Sequence, residues 1–191
     1  MQADSAEPRA AHPDDDGGPP RSLIIAALVL TVAAIGAVLA FAGSRRTPSA
    51  PVTIAAVPAP QAQSPECQAL LATLPDRLGD YARADTTQPT PAGTAAWRGS
   101  DETGGEPVVL RCGLERPAEF VVGSPIQMVN QVQWFRLEDP QSPLATWLCV
   151  DRPVYIALTL PTGSGPTPIQ AMSDVIDRSI PAIEIRPAPA R

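Results

Sequence analysis

The sequence predicts an α+β domain, with a small antiparallel sheet and two helices on one face, preceded by a single transmembrane helix. Three observations favour this fold class. A run of twenty uncharged, mostly apolar residues occupies positions 23–42. Further along, two segments with helical spacing of apolar residues enclose several short runs typical of strands. These runs follow one another without intervening helices, which indicates antiparallel pairing.

Composition divides the chain into five segments. An acidic tail over 1–21 has almost nothing apolar to bury, so we expect it to be disordered. The transmembrane helix, as a signal anchor, takes 22–44, and a Pro/Ala-rich linker over 45–63 predicts an extended spacer. The α+β domain covers 64–186, and 187–191 is expected to be a disordered tail.

The apolar run would be about 30 Å long as a helix, which matches the hydrocarbon core of a bilayer. It lacks the polar stripe that a helix on a soluble core normally keeps. Two alternatives are a buried core helix and a signal peptide cleaved after Ala42, because Ala40-Phe41-Ala42 resembles a small-x-small site. The length of the run and the acidic segment before it favour a retained anchor. The lipid bilayer is therefore the predicted partner of residues 23–42.

Within the domain, Ser64-Pro65-Glu66 predicts the start of a helix, with a capping residue, a first-turn proline and an acid near the positive end of the dipole. Pro75 ends this helix. A second helix is predicted to be capped by Thr167-Pro168 and stopped by Pro181. Between the helices we predict four strand regions, namely 107–113, a hairpin over 126–137 that turns at Asn130-Gln131, 146–150 and 154–160.

The composition excludes several classes of enzyme. The only histidine is His12, in the N-terminal tail, and all fourteen basic residues are arginine. A Ser-His-Asp or Cys-His nucleophile, a Ser-Lys dyad and a Schiff-base lysine therefore have no side chains to form them in the domain. A P-loop and a histidine-ligated zinc site are excluded for the same reason. We expect no cofactor and no metal.

Hydrolysis by a pair of carboxylates is the common enzyme class that this composition allows. The candidate acids are Asp101 with Glu102, Glu138 with Asp139, and Asp151. The first two pairs are adjacent in sequence and stand next to Gly or Pro, which favours solvated loops. A catalytic pair needs burial or fixed spacing to separate its pKa values. An envelope hydrolase is therefore the alternative function rather than the first one.

Trp97, Trp134 and Trp147 stand out in a chain with three Phe and two Tyr. They would serve either as an aromatic platform for a sugar or peptide, or as the bulky core of a β-rich domain. Arg152, in Asp151-Arg152-Pro153, also has one structural and one ligand-binding interpretation. It pairs internally with Asp151 at a turn, or it holds a partner's carboxylate. These four residues are the candidate ligand or partner surface.

The domain is acidic, with 15 Asp and Glu against 10 Arg from Ser64 onward. A nucleic-acid-binding protein normally carries a basic surface that neutralises phosphates. We therefore expect no nucleic acid among the partners. An envelope protein or a cell-wall component is the kind of partner that a tethered domain would meet.

Several segments occur in a characteristic order along the domain, at 71–75, 95–97, 108–113, 132–135 and 151–155. They read Leu-Ala-Thr-Leu-Pro, Ala-Ala-Trp, Val-Val-Leu-Arg-Cys-Gly, Val-Gln-Trp-Phe and Asp-Arg-Pro-Val-Tyr. Together with the apolar anchor and the Pro/Ala linker, this order resembles the uncharacterised actinobacterial membrane-protein family known as domain of unknown function 3515. The resemblance implies a surface-facing, membrane-tethered domain with Cys67 and Cys112 as recurrent cysteines. The family brings no established activity.

Cys67, Cys112 and Cys149 all follow the apolar run, without a close metal-binding spacing. Cys67 falls on the apolar face of the first helix, and Cys112 ends a strand that we expect beneath it. We therefore predict a Cys67–Cys112 disulfide with Cys149 free and buried. The competing pairings are Cys67–Cys149 and Cys112–Cys149. A disulfide fits an extracytoplasmic domain, whereas three reduced thiols would fit a cytoplasmic one.

Taken together, these features predict a membrane-tethered extracytoplasmic domain that is a binding or assembly module of the bacterial cell envelope. No catalytic motif supports an enzyme. The alternative is the envelope hydrolase with a carboxylate pair. A cleft that holds two inward-facing acids would favour the hydrolase, and a shallow apolar or aromatic groove would favour binding.

Overall fold

The structure is a computed structural model that describes residues 21–44, 50–99, 105–137 and 141–190. The predicted disordered tail thus lies outside the described residues except for Arg21, as do the first five residues of the predicted spacer. The chain divides into two compact units, Met1–Pro48 and Ser49–Arg191.

The first unit contains helix α1, Arg21–Ser44. Among the described residues, it is the one helix long and apolar enough to cross a membrane, and the part over Arg21–Val38 buries nothing inside its own chain. The Thr31 hydroxyl, within the apolar run, donates to the Ala27 carbonyl at 2.8 Å. The helix therefore exposes an apolar surface all round, as the sequence predicts.

The second unit is built on one antiparallel sheet of eight strands. Their order across the sheet is β1-β2-β3-β4-β8-β7-β6-β5, so β1 and β5 are the two edges. The strands are β1 Arg77–Leu78, β2 Tyr81–Ala84, β3 Thr94–Arg98, β4 Val108–Leu114, β5 Ile126–Val129, β6 Val132–Leu137, β7 Leu144–Cys149 and β8 Tyr155–Pro161. The predicted strand regions are confirmed as β4 to β8, and β1 to β3 were not predicted.

Two helices complete this unit, α2 over Pro65–Ala72 and α3 over Thr167–Ser179. The Ser64 hydroxyl accepts a hydrogen bond from the Cys67 N–H at 3.3 Å, so the predicted cap of α2 is confirmed. The predicted cap of α3 is wrong. The N-cap position of α3 is Pro166, and it makes no side-chain capping bond.

The predicted arrangement of a small sheet with the helices on one face is wrong. The sheet has eight strands, and α3 contacts β1 at one edge as well as β5 and β6 at the other. Because one helix reaches both edges, the sheet curls around α3. Helix α2 contacts α3 and is linked to β4 by a disulfide, whereas α1 belongs to the other unit. Strand twist allows this curvature. The sheet is larger than predicted because β1 to β3, which the sequence did not predict, are part of it.

The core lies mainly on the inner side of the curled sheet. Along β4, Val108 and Leu110 point into the inner cluster and Val109 points to the outer side, as strand alternation requires. The inner cluster includes residues from both helices and most strands, among them Leu70, Leu78, Trp97, Leu110, Trp134, Ile156, Leu158, Met172 and Ile176. Two small clusters cover the outer side, one around Phe120 and Phe135 and one around Val52 and Val109.

The described part of the predicted spacer is not a free spacer. The Val52 N–H donates to the Asp85 carbonyl at 2.8 Å, and the Thr87 N–H donates to the Val52 carbonyl at 3.0 Å. Val52 and Ile54 are buried on the outer side of the sheet. Apolar residues between the prolines thus fix the segment to the domain, which corrects the boundary predicted at 64.

The C-terminal segment is also fixed to the fold. The Val122 N–H donates to the Ala188 carbonyl at 2.8 Å, and the Ala188 N–H donates to the Phe120 carbonyl at 2.9 Å. The prediction of a disordered tail over 187–191 is therefore wrong for its described residues. The backbone of Ala188 is hydrogen-bonded to the domain, although the side chains of this segment show no pattern that would predict it. Residue 191 lies outside the described residues.

The predicted disulfide is confirmed. Cys67 on α2 and Cys112 on β4 are bonded, with their Cα atoms 5.7 Å apart, and both are fully buried. Cys149, on β7, is free and buried, as the sequence also predicts. The bond links α2 to β4, and α2 also contacts α3.

Candidate ligand groove

The curled sheet leaves a groove beside the first turn of α3. Its volume is about 540 Å³, within the ~300–1,000 Å³ of typical ligand pockets. Strands β5, β6 and β7, the end of β8, and the loop and first turn of α3 form its walls. We call this space the groove, and its main lining residues are Gln127, Arg136, Trp147, Leu160, Ile169 and Gln170.

Trp147 gives the groove its aromatic surface. Cross-strand pairing places it between Arg136 on β6 and Leu158 on β8, so all three stand on the inner face. The Arg136 guanidinium lies over the indole, with its Cζ 5.4 Å from the ring centroid. Such a stack stabilises the orientation of both side chains. Trp147 is half-buried, so part of its ring faces the groove.

The hairpin turn ties one end of the groove to α3. Asn130 has a positive φ of 52°, which asparagine tolerates better than most residues. Its side-chain amide donates to the Gln170 carbonyl at 3.3 Å and to the Asp174 carboxylate. The β5–β6 hairpin therefore stays against the helix, and the groove has a fixed width there.

The polar part of the lining consists of amides, hydroxyls and one guanidinium. The Ser164 hydroxyl is buried and has no hydrogen-bond partner among the described residues. No Asp or Glu occurs among the described lining residues. This lining can stack on a flat group and exchange hydrogen bonds with a polar ligand, but these side chains do not form an acid–base pair.

The other two tryptophans are core residues. Trp97 and Trp134 are fully buried. The Trp97 N–H donates to the Pro75 carbonyl at 2.9 Å, and the Trp134 N–H donates to the Ser173 hydroxyl at 2.9 Å. The reading of the three tryptophans as one exposed platform is therefore wrong, because burial leaves only Trp147 with a solvent-facing part.

Arg152 is also unavailable as a surface residue. Its side chain is buried, with Nη1 2.9 Å from Asp151 Oδ2 and Nη2 3.1 Å from Asp177 Oδ1. It further donates to the Gln131 carbonyl at 3.3 Å. Asp151 Oδ2 accepts from the Gln133 N–H at 3.0 Å. The internal Asp151–Arg152 pair is thus the correct reading, and it joins β6, the β7–β8 connection and α3.

A comparison with models of protein families finds a family for this chain. The model described as "Protein of unknown function (DUF3515)" matches residues 28–185, which is most of the chain. The chain belongs to the DUF3515 family. No curated protein and no solved structure matches this DUF3515 chain. Its function therefore has to be argued from its own geometry.

Of the carboxylates considered for hydrolysis, only Asp151 lies in the described part of the DUF3515 chain. Asp101, Glu102, Glu138 and Asp139 lie outside the described residues. Asp151 is buried, and its carboxylate is held by Arg152 and by backbone. Its side chain is therefore not presented to a substrate.

Cys149 lies next to this pair. Its Sγ is 3.5 Å from Asp151 Oδ1, and burial, followed by the negative charge of Asp151, raises the pKa of the thiol well above its ordinary value. The thiol therefore stays protonated, and it behaves as a small buried hydrophobe rather than a nucleophile.

The sequence drew attention to one residue of the groove, Trp147, and missed the others. Gln127, Arg136 and Gln170 come from β5, β6 and α3, and nothing in their local sequence marks them as neighbours. The alternation of the 126–137 hairpin does place Gln127 and Val129 on one face. That signal shows which residues share a face, but the register with β7 and the position of α3 are needed to see the groove.

Proposed function

We propose that this DUF3515 chain is a membrane-tethered, extracytoplasmic binding module of the cell envelope, and that the groove is its binding site. The single observation that carries this proposal is the groove itself. It is a preformed concavity with an aromatic surface, polar groups around it and no described acid. Such a composition suits reversible recognition rather than general acid–base chemistry.

The tether and the location rest on two further features. Helix α1 has the length and apolarity of a membrane span. The Cys67–Cys112 disulfide is of a kind that persists in oxidising compartments and is rare in the cytosol. A folded domain after an N-terminal anchor would be translocated as a whole, which would place it outside the membrane.

The partner that we propose belongs to the envelope. The domain carries more acidic than basic residues, which disfavours nucleic acid. A tethered domain meets envelope proteins and cell-wall components at high local concentration, so a modest affinity suffices for either.

The location makes a direct prediction. Protease added to intact protoplasts is expected to digest the domain of the full-length protein, because the domain would lie outside the membrane. Immunoblots against epitopes at the two ends measure this, with a cytoplasmic protein as the lysis control. Survival of the C-terminal epitope in intact protoplasts, with loss only after lysis, would place the domain inside.

The groove makes a second prediction. The photo-cross-linker p-benzoylphenylalanine, placed at Gln127 or at Gln170 of the full-length protein in its native membrane, is expected to give the same adduct from both positions. Both residues line the groove. Ala69 is the matched control, because it is exposed on α2 and outside the groove lining.

Adducts of one mass from both groove positions, absent from the Ala69 position, would support the proposal. Mass spectrometry of the adduct separates a protein partner from a cell-wall glycan. Equal labelling from all three positions, or no adduct from Gln127 and Gln170, would contradict a binding role for the groove.

A further inference from the structure

Strand β5 forms an open edge beside the groove. It stands last in the strand order, and among the described residues it pairs only with β6. An edge strand presents a row of N–H and C=O groups that another extended chain can pair with. Gln127, Met128 and Val129 of this strand line the groove, so the edge and the groove are continuous.

The register shows which backbone groups face outward. Val129 and Val132 flank the two-residue turn, and in such a hairpin the flanking residues form a hydrogen-bonded pair. Pairs then alternate along the ladder, so Gln127 bonds to Trp134. The N–H and C=O of Ile126 and Met128 therefore point away from β6.

Gln133, the partner of Met128, gives an independent check. Its N–H donates to Asp151 Oδ2 at 3.0 Å, and its carbonyl accepts from the Val150 N–H at 3.0 Å. Both bonds point away from β5, as a non-hydrogen-bonded pair requires. The outward direction of the Met128 backbone therefore follows from two sets of contacts.

The side chains along the edge differ between the two faces. Met128 points to the outer face and is 64% exposed, which is unusual for a large apolar residue. Gln127 points to the inner face and into the groove. An extended chain paired with β5 would therefore lie beside the exposed Met128 side chain on one face and the groove on the other.

We propose that the partner is a protein, and that an extended segment of it adds to β5 as a ninth strand with alternate side chains in the groove. This inference rests on the proposed function and specifies how the groove is used. Backbone pairing supplies affinity, and the pocket for alternate side chains supplies specificity. Arg136 stacks on Trp147 inside the groove, so a side chain that enters the groove meets this stacked pair.

The test uses the full-length protein in lipid nanodiscs and an array of fluorescent peptides. Each peptide has about seven residues that alternate between Val and a varied position, since neighbouring side chains of a strand point to opposite faces. Fluorescence polarisation measures binding. Some peptides of the array are expected to bind, and their affinity is expected to depend on the varied residue, because its side chain would enter the groove.

The decisive variant is Met128→Pro, matched by Met128→Ala. Proline removes an N–H that points outward and leaves the β5–β6 bonds intact, whereas alanine removes only the side chain. Met128→Pro is expected to weaken peptide binding by about tenfold or more, and Met128→Ala by a few-fold at most. Met128→Pro must retain the wild-type near-ultraviolet circular dichroism.

A ligand-side control does not depend on the variant. A bound peptide with an N-methylated residue opposite Met128 is expected to lose binding to the wild-type protein. If no peptide binds, or if Met128→Pro and N-methylation leave binding unchanged, strand addition is wrong. A persisting Gln127 photo-adduct would then leave the proposed function standing. A homodimer that Gln127→Cys traps as a disulfide would assign the edge to a second copy instead.

Discussion

Replacing Arg152 with methionine is expected to lower the free energy of unfolding by about 3–5 kcal/mol. The substitution leaves the Asp151 carboxylate buried without the guanidinium that lies 2.9 Å from it. Removing one partner of a buried ion pair costs the desolvation of the remaining charge, whereas methionine keeps much of the volume. Urea unfolding of the detergent-solubilised full-length protein, followed by tryptophan fluorescence, measures the change.

Asp177→Asn is the matched control. Asp177 makes the other arm of the network at 3.1 Å, but 45% of its side chain is exposed. Water screens that arm, so its loss is expected to cost at most about 1 kcal/mol. A double variant, Asp151→Asn with Arg152→Met, removes both charges and is expected to recover part of the loss. Equal effects of Arg152→Met and Asp177→Asn would contradict a central role for the buried pair.

The elements with strong local signals were predictable. Helix α2 has a serine cap, a first-turn proline and a proline after its end. In the structure it spans Pro65–Ala72, between these signals. Strand β4 begins with the apolar run Val108-Val109-Leu110, which is buried on both faces, and such a run is recognisable without alternation. The β5–β6 hairpin was predictable from alternation on either side of Asn130.

Strands β1 to β3 were not predictable from the sequence. They are short, and β2 carries an exposed Arg83 while β3 relies on alanines beside Trp97. Their strand state comes from pairing with β4 and from the segment at Val52, which closes the outer side. Local propensity is weak where tertiary contacts supply the stabilisation.

One residue of the groove, Trp147, could be predicted from the sequence, because tryptophan is rare in this chain. Trp147 stood out by residue type, but so did Trp97 and Trp134, whose N–H groups are satisfied by Pro75 and Ser173 in the core. The packing of distant segments separates the three. Trp97 bonds to the Pro75 carbonyl and Trp134 to Ser173 of α3, whereas Trp147 lies beside the first turn of α3. The position of α3 depends on contacts between distant parts of the chain.

Removing the disulfide with Cys67→Ala and Cys112→Ala together is expected to lower the free energy of unfolding by about 4 kcal/mol. The two cysteines are 45 residues apart in sequence, so the bond closes a long loop in the unfolded chain. In the chain-entropy model, a longer loop gives a larger gain from cross-linking. The loss is a large share of the ~5–15 kcal/mol that stabilises a typical domain.

Cys149→Ala is the control for the loss of a buried sulfur. Cys149 is as buried as the bonded cysteines but closes no loop, so its replacement is expected to cost only about 1–2 kcal/mol. A reducing agent should lower the stability of the wild-type protein and of Cys149→Ala to the same extent, and should leave the double variant unchanged. A double variant as stable as Cys149→Ala would show that burial, and not the cross-link, accounts for the contribution of these cysteines.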